Sequence, residues 1–397
     1  MSGAERNGEN SWLSLDQDRQ GPRPVMCVVG ARPNFMKMAP ILRALAAHRP
    51  PLPSMLVHTG QHYDQGMSHQ LFEDLGLPTP DLNLEVGSGS HAVQTAEVMR
   101  RFEPALDDHK PACVLVVGDV NSTLACTLVA VKKNVPVVHV EAGLRSHDRK
   151  MPEEINRILT DQVADRLYTT ERSALENLVR EGVAAERVCF VGNVMIDSLL
   201  SSRPHAKPTA QTLRFHGIDP SLILHEKGYG LVTLHRPSNV DDADTLRRLL
   251  GILSEVAQSL PLVFALHPRT RHNMDRFGLM DRVDARRVLL LPPQGYLEML
   301  GLMRDATLVL TDSGGLQEET TALGVPCLTL RESTERPITA EQGSNTLVGC
   351  DGQAIRSAVA DILRGAGKCG RMPELWDGQA AHRIAADLWR WLAAGAR

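Results

Sequence analysis

No apolar run in the 397-residue sequence approaches the roughly 18 residues that a membrane-spanning helix needs. A basic excess is missing too: 43 Lys and Arg against 47 Asp and Glu leave a formal net charge of −4. Domains that hold nucleic acid by bulk charge carry a cationic surplus, so that class is disfavoured, while a local cationic site for a small anion is not. Aromatic residues make up only 4% of the chain, too few for the stacking platforms of single-strand binders. The seven cysteines (Cys27, Cys113, Cys126, Cys189, Cys327, Cys350 and Cys369) include no C-x-x-C pair. Most sit inside apolar runs, and they read as reduced core thiols in a reducing, cytoplasmic compartment. A Walker A sequence is absent, as is the H-E-x-x-H spacing of a metal site, so no metal is expected. The segment from Gly87 to Ala92 nominally fits G-x-G-x-x-A, but no convincing strand precedes it. It reads as a loop, and nicotinamide binding there is rejected. Residues 1–23 are polar, lack an apolar signal core, and read as a disordered tail rather than a targeting peptide.

What remains is a chain with 43% hydrophobic and 23% charged residues, the composition of a protein that folds. Short runs rich in Val, Leu and Ile alternate with longer helical patterns. The first series is 25–30, 55–59, 114–118, 137–141, 167–170 and 188–191; the second is 230–234, 262–266, 288–291, 307–311 and 327–330. The runs are continuous rather than alternating, as in strands buried on both faces of a parallel sheet. Helical patterns at 37–47, 122–132, 153–164, 173–181, 244–259 and 316–323 complete right-handed βαβ units. The expected class is therefore α/β, with two Rossmann-like domains at 24–192 and 193–377. A helix at 378–397 carries Ile384, Leu388 and Trp391 on one face and is expected to cross back onto the first domain.

The unusual polar residues follow the strands, at the carboxyl edge where open α/β sheets bind ligands. In the segment from Asp312 to Glu319 a strand ends, Ser313 can cap, and Gly314 and Gly315 open the backbone before a helix begins. Free N–H groups there suit an anion such as phosphate, and Glu319 one turn on suits ribose hydroxyls. A plain capped helix with acidic first-turn residues is the alternative. Asp119 and Glu141 each end an apolar strand, and Glu153 follows Pro152 at a helix start. Asp119 can instead be a helix N-cap, Glu153 ordinary helix-start chemistry, and Glu141 a partner of Arg145. Three carboxylates on one cleft would supply acids and bases of differing strength.

In chain order the polar motifs are the segments Gly30 to Lys37, Thr59 to His62, Gly118-Asp119, His139 to Arg145 and Pro152 to Arg157. They continue with His235-Arg236-Pro237, Thr311 to Glu319 and Glu335-Arg336-Pro337. Taken in that order, the motifs resemble the UDP-N-acetylglucosamine 2-epimerase family. The resemblance implies a GT-B-like architecture with the active site in the interdomain cleft and a homodimer. It implies reversible C2 epimerisation of a UDP-sugar without NAD or metal, hence no cofactor. It assigns Asp119, Glu141 and Glu153 as the catalytic carboxylates, with His235 near the diphosphate. Substrate contacts carry over to Arg32, Lys37, Gln294, Ser313, Gly314, Gly315, Glu319 and Arg336. Met299 stands where many relatives place an aromatic beside uracil. Gln61 and His62 resemble the non-hydrolysing branch, in which a second substrate molecule activates the enzyme; Arg236 and His267 join them as candidate allosteric residues.

Overall fold

The computed structural model describes residues 23–60, 71–224 and 227–395. Gln61, His62 and the polar tail up to residue 22 lie outside them. The chain divides into two compact units, one running to Ser198 and resuming at Glu374, the other Leu199–Pro373.

The first unit is built on a seven-stranded parallel sheet of order β3-β2-β1-β4-β5-β6-β7. Its strands are β1 (Val25–Val29), β2 (Ser54–His58), β3 (Leu82–Asn83), β4 (Cys113–Val117), β5 (Val137–Ala142), β6 (Arg166–Thr169) and β7 (Val188–Phe190). The second unit holds a six-stranded parallel sheet of order β10-β9-β8-β11-β12-β13. Here the strands are β8 (Gly230–Thr233), β9 (Leu262–Ala265), β10 (Val288–Leu291), β11 (Leu308–Thr311), β12 (Cys327–Thr329) and β13 (Asn345–Leu347). Every residue of β1, β4, β5, β9 and β11 is buried, which is why their runs show no alternation.

Each strand order reverses direction once, between β1 and β4 in the first unit and between β8 and β11 in the second. Helices therefore cover opposite faces on either side of that point, and the loops after the two strands splay apart. The crevice this leaves is where doubly wound sheets take their ligands. The segments after β1, β4, β8 and β11 are thereby placed at the chemically useful edge of each unit.

Several elements depart from the expectations. The helix Arg32–Ala47 begins five residues before Lys37. Pro33 suits its first turn, and the Asn34 side chain accepts from the N–H groups of Gly30 and Ala31 while donating to the Val117 carbonyl. A 19-residue helix, His91–His109, follows the glycine-rich stretch, with Ser90 capping it and the two-residue β3 just before. β13 is short and two of its three residues are polar, so no apolar run announces it. The helix Ala380–Ala393 packs on Arg32–Ala47, burying Ile384 and Leu388. Four of the cysteines are buried and Cys369 is exposed; burial pushes the Cys327 thiol up to about 11 and Cys113 up to about 12, as expected for inert core groups. Among the described residues no helix is long and apolar enough to cross a membrane.

Candidate active site

In the first unit, the Lys37 ammonium is buried against the Glu141 carboxylate, which it meets in a close ion pair. Arg145, the partner that the alternative structural reading gave Glu141, instead binds Asp161 at 2.8 Å and Glu181 at 2.6 Å. The correction has a geometric origin. Glu141 has φ +71°, in the left-handed region that non-glycine residues avoid, and the β5–β6 register shifts between Val140 and Ala142. The bulge carries the Glu141 side chain to Lys37 rather than along the strand toward Arg145. Strain of this kind persists only where the surroundings hold it, and it collects at functional sites.

Gly118, with φ +68°, lies beside the same pair: a Cβ on it would sit 3.0 Å from Lys37 Nζ and 3.5 Å from Glu141 Oε2. The next residue, Asp119, is not a helix cap, because the helix Asn121–Lys132 has Val120 at its N-cap without a side-chain bond. Asp119 receives Arg157 Nη1 at 2.5 Å, and its carbonyl accepts from Asn156. Arg157 also binds Glu154 at 2.6 Å. Burial would raise the Glu154 carboxyl, but N–H groups from Ser146 and His147, together with Arg157, hold it below its ordinary value. Glu153 is half-buried in the first turn of the helix Pro152–Val163, and Arg32 is exposed at the start of its own helix. Asp119, Glu141, Lys37 and Gly118 thus share one edge, and Glu153 belongs to the helix that supplies the Asp119 partner.

The second unit reverses the charge logic. Asp312, fully buried, accepts from the backbone N–H groups of His235 and Arg236, from Asn239, and from His235 Nδ1 at 2.8 Å. Burial pushes the Asp312 carboxyl up, and these donors outweigh it and keep it below the ordinary range. The His235 ring, one-third exposed, is therefore oriented from behind by Asp312 and stacks obliquely 5.5 Å from the exposed His267. Glu335 gathers Arg236 at 3.1 Å and Arg331 at 2.8 Å. Burial opposes its ionisation, yet Arg331, Arg336 and Arg236 bring its carboxyl down to about 2. Arg336 in turn binds Glu318 at 2.8 Å.

Ser313 occupies the N-cap of the helix Gly314–Leu323, but its side chain makes no capping bond and the first turn holds no acidic residue. The plain capped-helix alternative fails on both points. Gly314 has a further reason to lack a side chain, since a Cβ would come within 2.6 Å of Glu335 Oε1. Glu319 is buried, and near it the Tyr296 hydroxyl is pushed well up, first by burial and then by that carboxylate. Gln294 is buried and hydrogen-bonded to His216 and the Pro292 carbonyl; Met299 is half-buried on the helix Tyr296–Arg304.

A profile of the family described as UDP-N-acetylglucosamine 2-epimerase matches residues 44–388. The chain belongs to that family. Among its relatives, the UDP-N-acetylglucosamine 2-epimerase of Methanococcus maripaludis is 40% identical over 340 residues, covering 85% of this chain and 91% of the relative. The UDP-2,3-diacetamido-2,3-dideoxy-D-glucuronate 2-epimerase of Pseudomonas aeruginosa is also 40% identical, over 371 residues and 99% of its length. The crystal structure of the Methanocaldococcus jannaschii UDP-GlcNAc 2-epimerase in complex with UDP-GlcNAc and UDP superposes with a TM-score of 0.83 at 39% identity. That match covers 92% of this chain and 99% of the other. The two Rossmann-like units are the architecture of this epimerase family.

Sequence reasoning missed the supporting partners. Lys37 was visible as a cation but not as the partner of Glu141, and Asp312 and Glu335 stood inside quoted motifs without a role. Tyr296 carried no signal beyond two residues of spacing from Gln294.

Proposed function

We propose that this chain catalyses the reversible C2 epimerisation of UDP-N-acetylglucosamine and UDP-N-acetylmannosamine, without hydrolysis and without NAD or metal. The carrying observation is the pair of strand-end carboxylates, Asp119 and Glu141, each set against a buried cation at the switch-point edge. The C2 proton becomes acidic only as the C1–O bond to UDP breaks. A carboxylate takes the C2 proton, UDP leaves with the C1–O electron pair, and a glycal remains. A second acid returns a proton to the opposite face of C2 while UDP re-forms the bond at C1. Two faces require two acid–base groups, and Asp119, Glu141 and Glu153 supply three. Lys37 and Arg32 in the first unit, and His235, Arg336 and the Ser313–Gly315 backbone in the second, stabilise the charge on the departing diphosphate. Glu319 takes the ribose, and Gln294 with Met299 the base. Gln61, His62, Arg236 and His267 are the residues assigned to activation by a second substrate molecule. The enzyme works as a cytoplasmic homodimer that feeds polysaccharide synthesis.

The Pseudomonas relative, matched over more of this chain than the Methanococcus one, favours a second reading with a diacetamido uronate as the sugar. Incubation with each UDP-sugar in deuterated water, followed by NMR, separates the readings. Intact UDP-ManNAc deuterated at C2 is the expected result. Free ManNAc shows hydrolysis instead; exchange with the uronate alone selects the second sugar; no exchange with either overturns both.

A further inference from the structure

Among its described residues the first unit contains a fully buried titratable cluster that the proposed chemistry does not use. His139, on β5, and Asp161, on the helix Pro152–Val163, have no exposed side-chain surface. Nδ1 of His139 lies 2.7 Å from Asp161 Oδ1, and Nε2 lies 2.8 Å from the Gly118 carbonyl oxygen. A carbonyl only accepts, so Nε2 must carry a proton. Asp161 Oδ2 receives the Gly143 N–H at 3.0 Å and the Arg145 guanidinium at 2.8 Å, both of which only donate. With two donors on Oδ2 and the Arg145 guanidinium beside it the carboxylate form is favoured, and in that form Nδ1 donates to Oδ1. Arg145 is itself balanced by Glu181.

We propose that His139 is a buried imidazolium and that, with Asp161, it positions the carboxylates of the proposed epimerisation. Its Nε2–H holds the carbonyl of Gly118, the left-handed turn immediately before Asp119. Asp161 binds the ring of His139, two residues before Glu141, and the N–H of Gly143, two residues after it. The end of β5 is wrapped around this one carboxylate, and Glu141 is forced to the crest of the bend with φ +71°. The strained backbone that brings Glu141 to Lys37 is therefore held from behind by Asp161. Asp161 also belongs to the helix that carries Glu153 and the Asp119 partner Arg157. A single buried ion pair ties together the three elements bearing Asp119, Glu141 and Glu153. A neutral imidazole carries one ring N–H and can donate to one of the two acceptors but not to both, and a glutamine amide carries both of its N–H groups on a single nitrogen.

The positioning role rests on the proposed epimerase reading, and two measurements test it separately from that reading. Neutron diffraction of the wild-type protein grown in deuterated water should show a deuteron on both Nδ1 and Nε2 of His139. A single deuteron on the ring, or one on Asp161 in place of Nδ1, overturns the imidazolium. In His139→Gln, kcat for C2 exchange, expressed per UDP-binding site counted by calorimetry, should fall tenfold or more with KM within threefold. A kcat within twofold of wild type, or a fall matched by an equal rise in KM, overturns the positioning role. If the variant does not fold, the neutron map of the wild-type protein still decides the charge state on which the role depends. Wild-type protein inert toward every UDP-sugar would instead defeat the epimerase reading, and would leave the deuteron count to be judged by itself.

Discussion

The two units place their polar groups by the same topology and use opposite charge schemes. In the first, the acids offered for proton transfer are each backed by a cation: Asp119 by Arg157, and Glu141 by Lys37, which the proposed reaction also turns toward the diphosphate. In the second, the offered groups are cations and an imidazole, and each is backed by an acid: His235 by Asp312, Arg236 by Glu335, Arg336 by Glu318. An unpaired charge taken out of water costs several kcal/mol, so a working group of either sign must arrive with its counter-ion. What differs is which member of the pair faces the ligand. Acids are needed where protons move, and cations where a diphosphate is held.

The sharpest way to break this comparison is to neutralise each of two working acids and then one backing acid. Asp119→Asn and Glu141→Gln should each lower kcat for C2 exchange on the order of a thousandfold, the scale of lost acid–base catalysis, while UDP still binds in calorimetry. Near-normal turnover in either would remove that residue from the proton-transfer step. Glu335→Gln should do the reverse. It leaves Arg236, Arg331 and Arg336 short of a shared anion, so UDP affinity should fall roughly tenfold with kcat changed much less. Stability should drop by about 3–5 kcal/mol, as when one partner of a buried pair is removed. Denaturant melts and calorimetry on the same preparation read both effects.

Acid should reveal the backing carboxylates before it reveals anything else. Glu335 ionises at about 2 in the folded protein against 4.5 for the free group. A depressed folded value means that the native state favours the anion. The stabilisation is present above pH 4.5 and is lost as pH falls toward 2. The shift corresponds to roughly 3 kcal/mol at full loss. Asp312, Glu154 and Asp161 are shifted in the same direction, so the stabilisation each contributes is likewise lost as pH falls below its free value. Melting temperature should therefore fall steeply below pH 4.5, and Glu335→Gln should show a shallower slope there than wild type. An unchanged slope would mean that Glu335 is not held by its arginines.

The strands were legible because burial on both faces leaves an uninterrupted apolar run, and the runs predicted at 25–30 and 262–266 became β1 and β9 nearly residue for residue. β13, with Asn345 and Thr346, has no such run to show, and the helix at His91 is hidden by the Gly-Ser stretch before it. Asp119 and Glu141 were legible as acids at strand ends, where an unpaired charge is costly enough to require a reason. Their partners were not. Lys37 and Glu141 are more than a hundred residues apart, and Asp119 and Arg157 are 38 apart. Only the sheet order and a bulge at Glu141 bring these groups together, and neither feature leaves a mark in local spacing.

Two glycines allow the finest separation of the units, because each adjoins one of the contrasting ion pairs. An alanine methyl at Gly118 would meet Lys37 Nζ at 3.0 Å and would also require φ +68°, at a cost of about 1–2 kcal/mol. The same methyl at Gly314 would meet Glu335 Oε1 at 2.6 Å, with no left-handed backbone to pay for. Both neighbours are ends of long side chains, so each can yield, but only by loosening its ion pair. Gly118→Ala should therefore act through the Lys37–Glu141 pair and lower kcat several-fold with little change in UDP affinity. Gly314→Ala should act through Glu335 and its arginines and weaken UDP binding several-fold with kcat nearly intact. If both variants changed kcat and affinity in the same proportion, the division of labour between acid-bearing and cation-bearing units would be wrong, however well each ion pair is formed.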